Sequence, residues 1–368
     1  MDLVEIFGDH DEYEGAQVTF RLWTTGEHIV VSLFKSDTIE TPDKLPGRLP
    51  SVNQIIRLLG QSLTTDNYDE QKALEDEAVD PIYQAADAII SESEATVENS
   101  TTEFQSNYKS SSLHDILYPN TSHYRLQSTT RTTGPILIPI PAHEAYAISF
   151  DDGQALLEHR SEVQVDRSLP RYSSNQIQVV KEFAKGTGTV CLVTVDGQGQ
   201  DQEFLCKAER DGLRNASLER EIDCLQRILQ APSSLTNNTT ACPFPALRGY
   251  VVHPKTGAIL GLLREWVPAR YSFRDLEKAG LDGVDAPREL REKWAGQIKE
   301  TVQALHSIGV VWGDAKPDNI IIDLHGDARL IDFGGGWTDG WVDEKLQETI
   351  EGDEQGVARI LRLLDIDN

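Results

Sequence analysis

The chain has 368 residues, with 34 Lys or Arg against 60 Asp or Glu, a formal charge of −26. That length accommodates two domains of ordinary size. Such an acidic chain repels phosphate backbones and anionic lipid, so nucleic acid and membrane surfaces are excluded as expected partners. No apolar run approaches the ~18–20 residues of a membrane span. The opening Met1-Asp2-Leu3-Val4-Glu5 lacks the basic and apolar regions of a secretory signal, so a cytoplasmic or nuclear location is expected. Cys191, Cys206, Cys224 and Cys242 form no CxxC pair and no cluster with His, and read as buried reduced thiols.

In chain order, residues 16–34 predict a hairpin, from the alternation in Gln17–Trp23 and the apolar Ile29–Phe34. A short helix is expected at 51–60. Residues 64–80 are acidic, and 64–90 should be helical only in part. Residues 91–112 are mostly Ser, Thr, Glu and Asn, which bury too little to offset their ordering entropy, and read as a disordered linker. The stretch 1–90 is thus an N-terminal extension, and 113–174 a connecting segment in which 135–150 is extended. A denser domain opens at about 175 and runs to 368.

That domain begins with strands at Ile177–Phe183, Thr189–Val195 and Gln202–Lys207, joined by Gly-containing turns. A helix over Ser217–Leu229 carries Leu218, Ile222, Leu225 and Leu229 at helical spacing. Strands at Leu247–His253 and Ile259–Leu263 follow. A long helix over 287–308 is striped by Leu290, Trp294, Ile298, Val302, Leu305 and Ile308, with Gly309 suited to end it. A small sheet with one helix, followed by a mostly helical part, predicts two lobes with a cleft: 175–265 and 266–368.

The chemistry concentrates in Gly313-Asp314-Ala315-Lys316-Pro317-Asp318-Asn319 and in Asp332-Phe333-Gly334. Between them, Ile320–Asp323 and Ala328–Ile331 read as a hairpin around a four-residue turn. Pairing 320 with 331 sets Asn319 opposite Asp332, about 5 Å apart at Cβ. Two oxygen-bearing side chains there can share Mg²⁺, which takes one or two protein groups plus phosphate oxygens. Asp314 can accept a proton from a hydroxyl nucleophile, and Lys316 can neutralise a transferring phosphate. The spacing suggests phosphoryl transfer.

D-x-K-P-x-N followed by D-F-G resembles the catalytic and metal loops of the protein-kinase-like superfamily. The resemblance implies an α+β, bilobal protein-kinase-like fold, with a small antiparallel-sheet N-lobe and a mainly helical, shortened C-lobe. It implies ATP and Mg²⁺ as cofactors and a hydroxyl acceptor on a protein Ser/Thr or a small molecule. Asp314 and Lys316 then take the catalytic positions, and Asn319 and Asp332 the metal positions. Lys207, at the end of the third strand, takes the phosphate-pairing position. Its partner is a Glu on the next helix; Glu221, which shares a face with Leu225 and Ile228, is chosen over Glu219. An ordinary solvated ion pair is the alternative. Gly186 and Gly188 match part of the phosphate-covering loop, or else a plain hairpin turn. Glu265 and Trp266 fall at the inter-lobe hinge, where backbone groups meet adenine.

Two departures qualify the likeness. H-R-D reads Trp312-Gly313-Asp314, which lacks the Arg that answers activation-loop phosphorylation and is similar to the H-G-D of small-molecule phosphotransferases. Only 36 residues follow Asp332, with no A-P-E element. Asp353, near the start of a final helix at 353–364, either braces the catalytic loop or merely caps the helix. W-G-D-x-K-P-D-N with D-F-G-G-G and E-G-D-x-x-G resembles a group of fungal kinase-like proteins. An active phosphotransferase is the first expectation; a nucleotide-binding pseudokinase scaffold is the alternative.

Overall fold

The computed structural model describes residues 1–8, 13–22, 26–36, 50–65, 67–98, 112–127, 135–147, 163–184, 188–197, 202–231, 243–272 and 286–366. The chain divides into two compact units, one of Met1–Ser110 with Tyr118–Asp151, the other of Ser111–Leu117 with Asp152–Asn368. The segment 113–174, read as a connection, therefore splits between them. The stretch 1–90 is not an appendage but most of a domain.

In the first unit, β1 (Asp2–Gly8), β2 (Gly15–Arg21), β3 (His28–Phe34), β4 (Thr121–Gln127) and β5 (Ile136–Pro139) form one sheet in that order. All pairs are antiparallel except β3 with β4. The predicted hairpin is β2–β3. A parallel return needs a long crossover, and α1 (Val52–Ser62) and α2 (Tyr68–Glu98) supply it. Ser51 opens α1 with a capping box, its Oγ accepting from Gln54 N at 3.2 Å while Gln54 Oε1 accepts from Ser51 N at 2.8 Å. Ile55, Ile56 and Leu59 then pack on Val18, Phe20, Val31 and Leu33, the inward alternate residues of the sheet. Helix α2 corrects the expectation of partial helix followed by disordered linker: it runs unbroken to Glu98. Three residues at i, i+4 and i+8, Ala78, Ile82 and Ala86, are fully buried in the same core. That narrow stripe is too thin to dominate a compositional reading of an acidic segment. The remaining linker residues, 99–111, lie outside those described.

The second unit begins with α3 (Leu113–Leu117). It packs beside a six-stranded sheet of order β6-β10-β11-β9-β8-β7: β6 (Arg171–Ser173), β7 (Ile177–Ala184), β8 (Gly188–Val195), β9 (Glu203–Glu209), β10 (Leu247–Val252) and β11 (Ile259–Glu265). Only β6–β10 is parallel. Helix α4 (Ala216–Gln230) follows β9. Asn215 caps it by accepting from Leu218 N at 3.0 Å. Cys191, Cys206 and Cys224 are buried free thiols of this lobe.

The second lobe holds α5 (Arg288–Ser307), α6 (Ile350–Leu363) and a three-stranded sheet of β12 (Ala269–Ser272), β13 (Ile320–Asp323) and β14 (Ala328–Leu330). Gly309, at φ +72°, terminates α5 and donates to His306 O at 3.0 Å. Trp294, Ile298, Leu305, Trp312, Phe333 and Ile360 are fully buried in one core with Ile222 of α4 and Tyr250 of β10. This is the α+β, bilobal kinase-like arrangement. No helix among the described residues is long and apolar enough to cross a membrane.

Candidate active site

The β13–β14 hairpin corrects one expectation. Its register pairs Ile320 with Leu330 and Ile322 with Ala328, one residue away from the predicted pairing. Asp323 N donates to Asp327 O at 3.0 Å, leaving a three-residue loop with Gly326 at φ +77°. A type I turn followed by a left-handed residue closes such loops. Asp323 fixes the turn, accepting from His325 N at 2.9 Å, Asp327 N at 3.0 Å and Arg329 Nε at 2.9 Å. Asn319 therefore faces Ile331, whose N–H donates to its carbonyl at 3.0 Å, and Asp332 lies one step beyond the ladder.

Asp332 leaves the strand at φ +62°, uncommon for a residue with a side chain. Its Oδ1 is 2.7 Å from Lys207 Nζ, and the same ammonium is 2.6 Å from Glu221 Oε2. Lys207 comes from β9 and Glu221 from α4, where it is 1% exposed. Glu221, rather than Glu219, is thus the partner of Lys207, and the pair is buried rather than solvated. Burial disfavours the Lys207 ammonium, but Glu221 and Asp332 outweigh it and raise its pKa above the ordinary lysine value. Burial likewise opposes the Asp332 carboxylate. The charge and hydrogen bond of Lys207, the Gly334 N–H and Arg264 prevail and depress its pKa.

Arg264 is a residue that sequence reasoning passed over. It sits on β11, 3% exposed; burial lowers its pKa from the ordinary arginine value, and the charges of Glu221, Asp332 and Glu265 oppose that without reversing it. Two cations thus meet the carboxylates of Glu221 and Asp332. Glu221 Oε1 and Arg264 Nε are buried without a hydrogen bond.

A second cluster surrounds Asp314. Lys316 Nζ is 2.6 Å from Asp314 Oδ2. Asn319 Nδ2 donates to Asp314 O at 2.9 Å and to its Oδ2 at 3.2 Å. Thr338 Oγ1 donates to Asp314 Oδ1 at 3.0 Å and accepts from Lys316 Nζ at 2.9 Å. Thr338 carries no signal in the sequence, since only the fold returns it to Asp314. Asn319 and Asp332 are therefore held by different partners: Asn319 belongs to the Asp314 cluster and Asp332 to the Lys207 cluster.

Asp353 settles between its two readings by geometry. Thr349 is the N-cap of α6, accepting from Gly352 N at 3.0 Å. Asp353, 1% exposed, accepts from Trp312 N at 2.7 Å, Gly313 N at 2.8 Å and His306 Nε2 at 2.8 Å. It braces the loop that carries Asp314.

The remaining predicted residues line the strands and their ends. Gly188 opens β8 opposite Glu209, and an added Cβ there would strike the Glu209 carboxylate. Gly186 lies outside the described residues. Glu265 N donates to Ala246 O at 2.9 Å, and Trp266 stacks on Phe183 of β7 at 5.4 Å between centroids. Among the described residues no three His, Cys, Asp or Glu converge as a protein-only metal cage. Mg²⁺ needs none, since one or two protein oxygens and phosphate suffice. The ionised Asp332 fits that role. So does Asn319, whose Nδ2 is used on Asp314 and whose Oδ1 remains an acceptor.

A sequence profile of the family described as "Protein kinase domain" matches residues 262–338. The chain is 29% identical over 187 residues to a ribosomal protein S6 kinase beta of Caenorhabditis elegans, covering 50% of this chain and 30% of that protein. It is 32% identical over 118 residues to a probable cAMP-dependent protein kinase catalytic subunit of Encephalitozoon cuniculi, covering 32% and 31%. Against the rhodopsin kinase GRK7 of Bos taurus it is 29% identical over 160 residues, covering 40% and 25%. The chain spans about a third or less of the length of these relatives. With two lobes, a Lys–Glu pair between sheet and helix, and an Asp-bearing loop beside an Asp-Phe-Gly, the fold is that of a kinase. The matched residues 262–338 and these relatives support a likeness to the protein-kinase-like superfamily.

Proposed function

We propose that this chain is an ATP- and Mg²⁺-dependent phosphotransferase that moves the γ-phosphate to a hydroxyl acceptor. The carrying observation is that both charged clusters are complete: Lys207 bridges Glu221 and Asp332, and Asp314 is held by Lys316, Asn319 and Thr338.

Phosphoryl transfer asks a protein mainly for positioning and charge. Lys207, fixed by Glu221, meets the phosphates of the nucleotide. Asp314 orients the acceptor hydroxyl and takes its proton. Lys316, on the same carboxylate, neutralises charge on the group in transit. Asp332 and Asn319 hold the metal, which when bound supplies charge neutralisation on the phosphate oxygens. The backbone at Glu265 and Trp266 receives adenine, and Gly188, at the start of β8, lies next to the phosphates together with Gly186. That relatives of this chain are protein kinases, a serine/threonine-protein kinase PKH3 of Eremothecium gossypii among them, favours a protein Ser or Thr as acceptor over a small alcohol.

The test is transfer from labelled ATP with Mg²⁺ to a panel of proteins and small alcohols. Asp314→Ala and Asp332→Asn are each expected to lose at least about a hundredfold in rate. Unchanged turnover in a folded Asp332→Asn variant refutes the assignment. Mg²⁺-dependent ATP binding by a wild-type chain that transfers nothing supports the scaffold reading instead.

A further inference from the structure

Arg220, next to Glu221 on α4 and about 100° around the helix from it, reaches two loops at once. Its Nη2 donates to Val311 O at 2.8 Å, and its Nη1 donates to Trp312 O at 3.3 Å and to Phe333 O. One guanidinium thus ties the helix bearing Glu221 to the loop bearing Asp314 and the loop bearing Asp332. The planar fork of Arg can serve several acceptors; a Lys ammonium, a point charge on a flexible stem, does so poorly.

The guanidinium has a seat made by glycines. Gly313 stands at φ +91°, and a Cβ there would lie 2.5 Å from Arg220 Nη2 and 2.8 Å from its Cζ. The end of an arginine usually moves aside at little cost. Here it is pinned by three carbonyls, so any side chain at 313 unseats it. On its other side, Glu348 Oε2 lies 3.9 Å from Arg220 Nε, and Glu348 Oε1 accepts from Gly336 N at 3.2 Å. A Cβ on Gly335 would strike that carboxylate. Glu348 itself is held at φ +55°, a strained conformation that persists only where its surroundings enforce it.

We infer that Arg220 is a positioning residue whose tie to the Val311, Trp312 and Phe333 carbonyls sets the geometry of both charged clusters, with Gly313 as its obligatory seat and Glu348 as its fixed counter-charge. Gly313 and Arg220 form one matched device. The inference rests on the phosphotransferase reading for its effect on rate, but the tie itself is open to a measurement that needs no turnover.

The test compares full-length wild type with Arg220→Ala, Arg220→Lys, Gly313→Ala and the Arg220→Ala/Gly313→Ala double variant. Rates are read by transfer from ATP, and backbone exchange at 311–314 and 333–336 by hydrogen–deuterium exchange. Arg220→Ala is expected to lower kcat about thirtyfold while KM for ATP changes about threefold or less. Lys does not restore it, and exchange speeds up in both loops. Gly313→Ala costs clearly less in the Arg220→Ala background than in wild type, because the clash has gone; its φ strain is common to both and cancels. Losses that multiply independently, full rescue by Lys, or unchanged exchange in Arg220→Ala overturn the inference. If Gly313→Ala fails to fold, the Ala–Lys comparison and the exchange decide. If wild type transfers nothing, the phosphotransferase reading fails, and exchange alone decides the tie.

Discussion

Removing the Asp353 carboxylate tests the bracing of the catalytic loop most directly. Asp353→Ala deletes the acceptor for three donors, and two of them, Trp312 N and Gly313 N, are main-chain groups with no freedom to turn elsewhere. The side chain is 1% exposed, so water does not replace it without opening the core. An unsatisfied buried donor costs about 1–3 kcal/mol, so two of them give about 4 kcal/mol. Asp353→Asn keeps one acceptor oxygen and sets an NH₂ against a donor, and is expected to cost about half as much. Trp294 and Trp312 are fully buried in this unit, so urea unfolding followed by tryptophan fluorescence reports on it. A shift of less than about 1 kcal/mol for Asp353→Ala would refute the bracing argument, since a mere surface cap accounts for that much. Transfer should fall together with stability, because the same N–H groups hold the backbone that carries Asp314.

Two further outcomes follow from the geometry. Thr338→Val removes the hydroxyl that links Asp314 to Lys316; kcat is expected to fall about tenfold with little change in the denaturation midpoint. A variant with wild-type kcat would leave Thr338 no part in the site. The second outcome concerns acid. Burial works against the ionised Asp323 and Asp327, but the hydrogen bonds and cations around each prevail and depress their pKa values below 3.8. Stability from such groups is complete above the unfolded value and is lost as pH falls through the lower folded values. Denaturation midpoints should therefore drop steeply below about pH 4, and Asp323→Asn should make the slope shallower. An unchanged slope counts against the role of Asp323.

What the sequence by itself determined is local and periodic. The stripes of α4 and α5, the glycine that stops α5, five of the six strands of the large sheet and the adjacency of Asp314, Lys316 and Asn319 all follow from the order of residues over one or two turns. Glu221 was legible because a helix has a defined inner face, and a charge on it needs a partner. What only the tertiary structure decided is long-range or turns on a single residue of geometry. The register at Asn319 hinged on whether Gly326 takes a left-handed conformation. Arg220, Arg264, His306 and Thr338 acquire partners only when segments up to 113 residues apart are brought together. The first unit was missed because a parallel pairing of β3 with β4 joins residues separated by both helices, and α2 declares itself by three buried side chains in an acidic run. Periodicity shows which face of an element is buried; it does not show against what, and that is where the site is made.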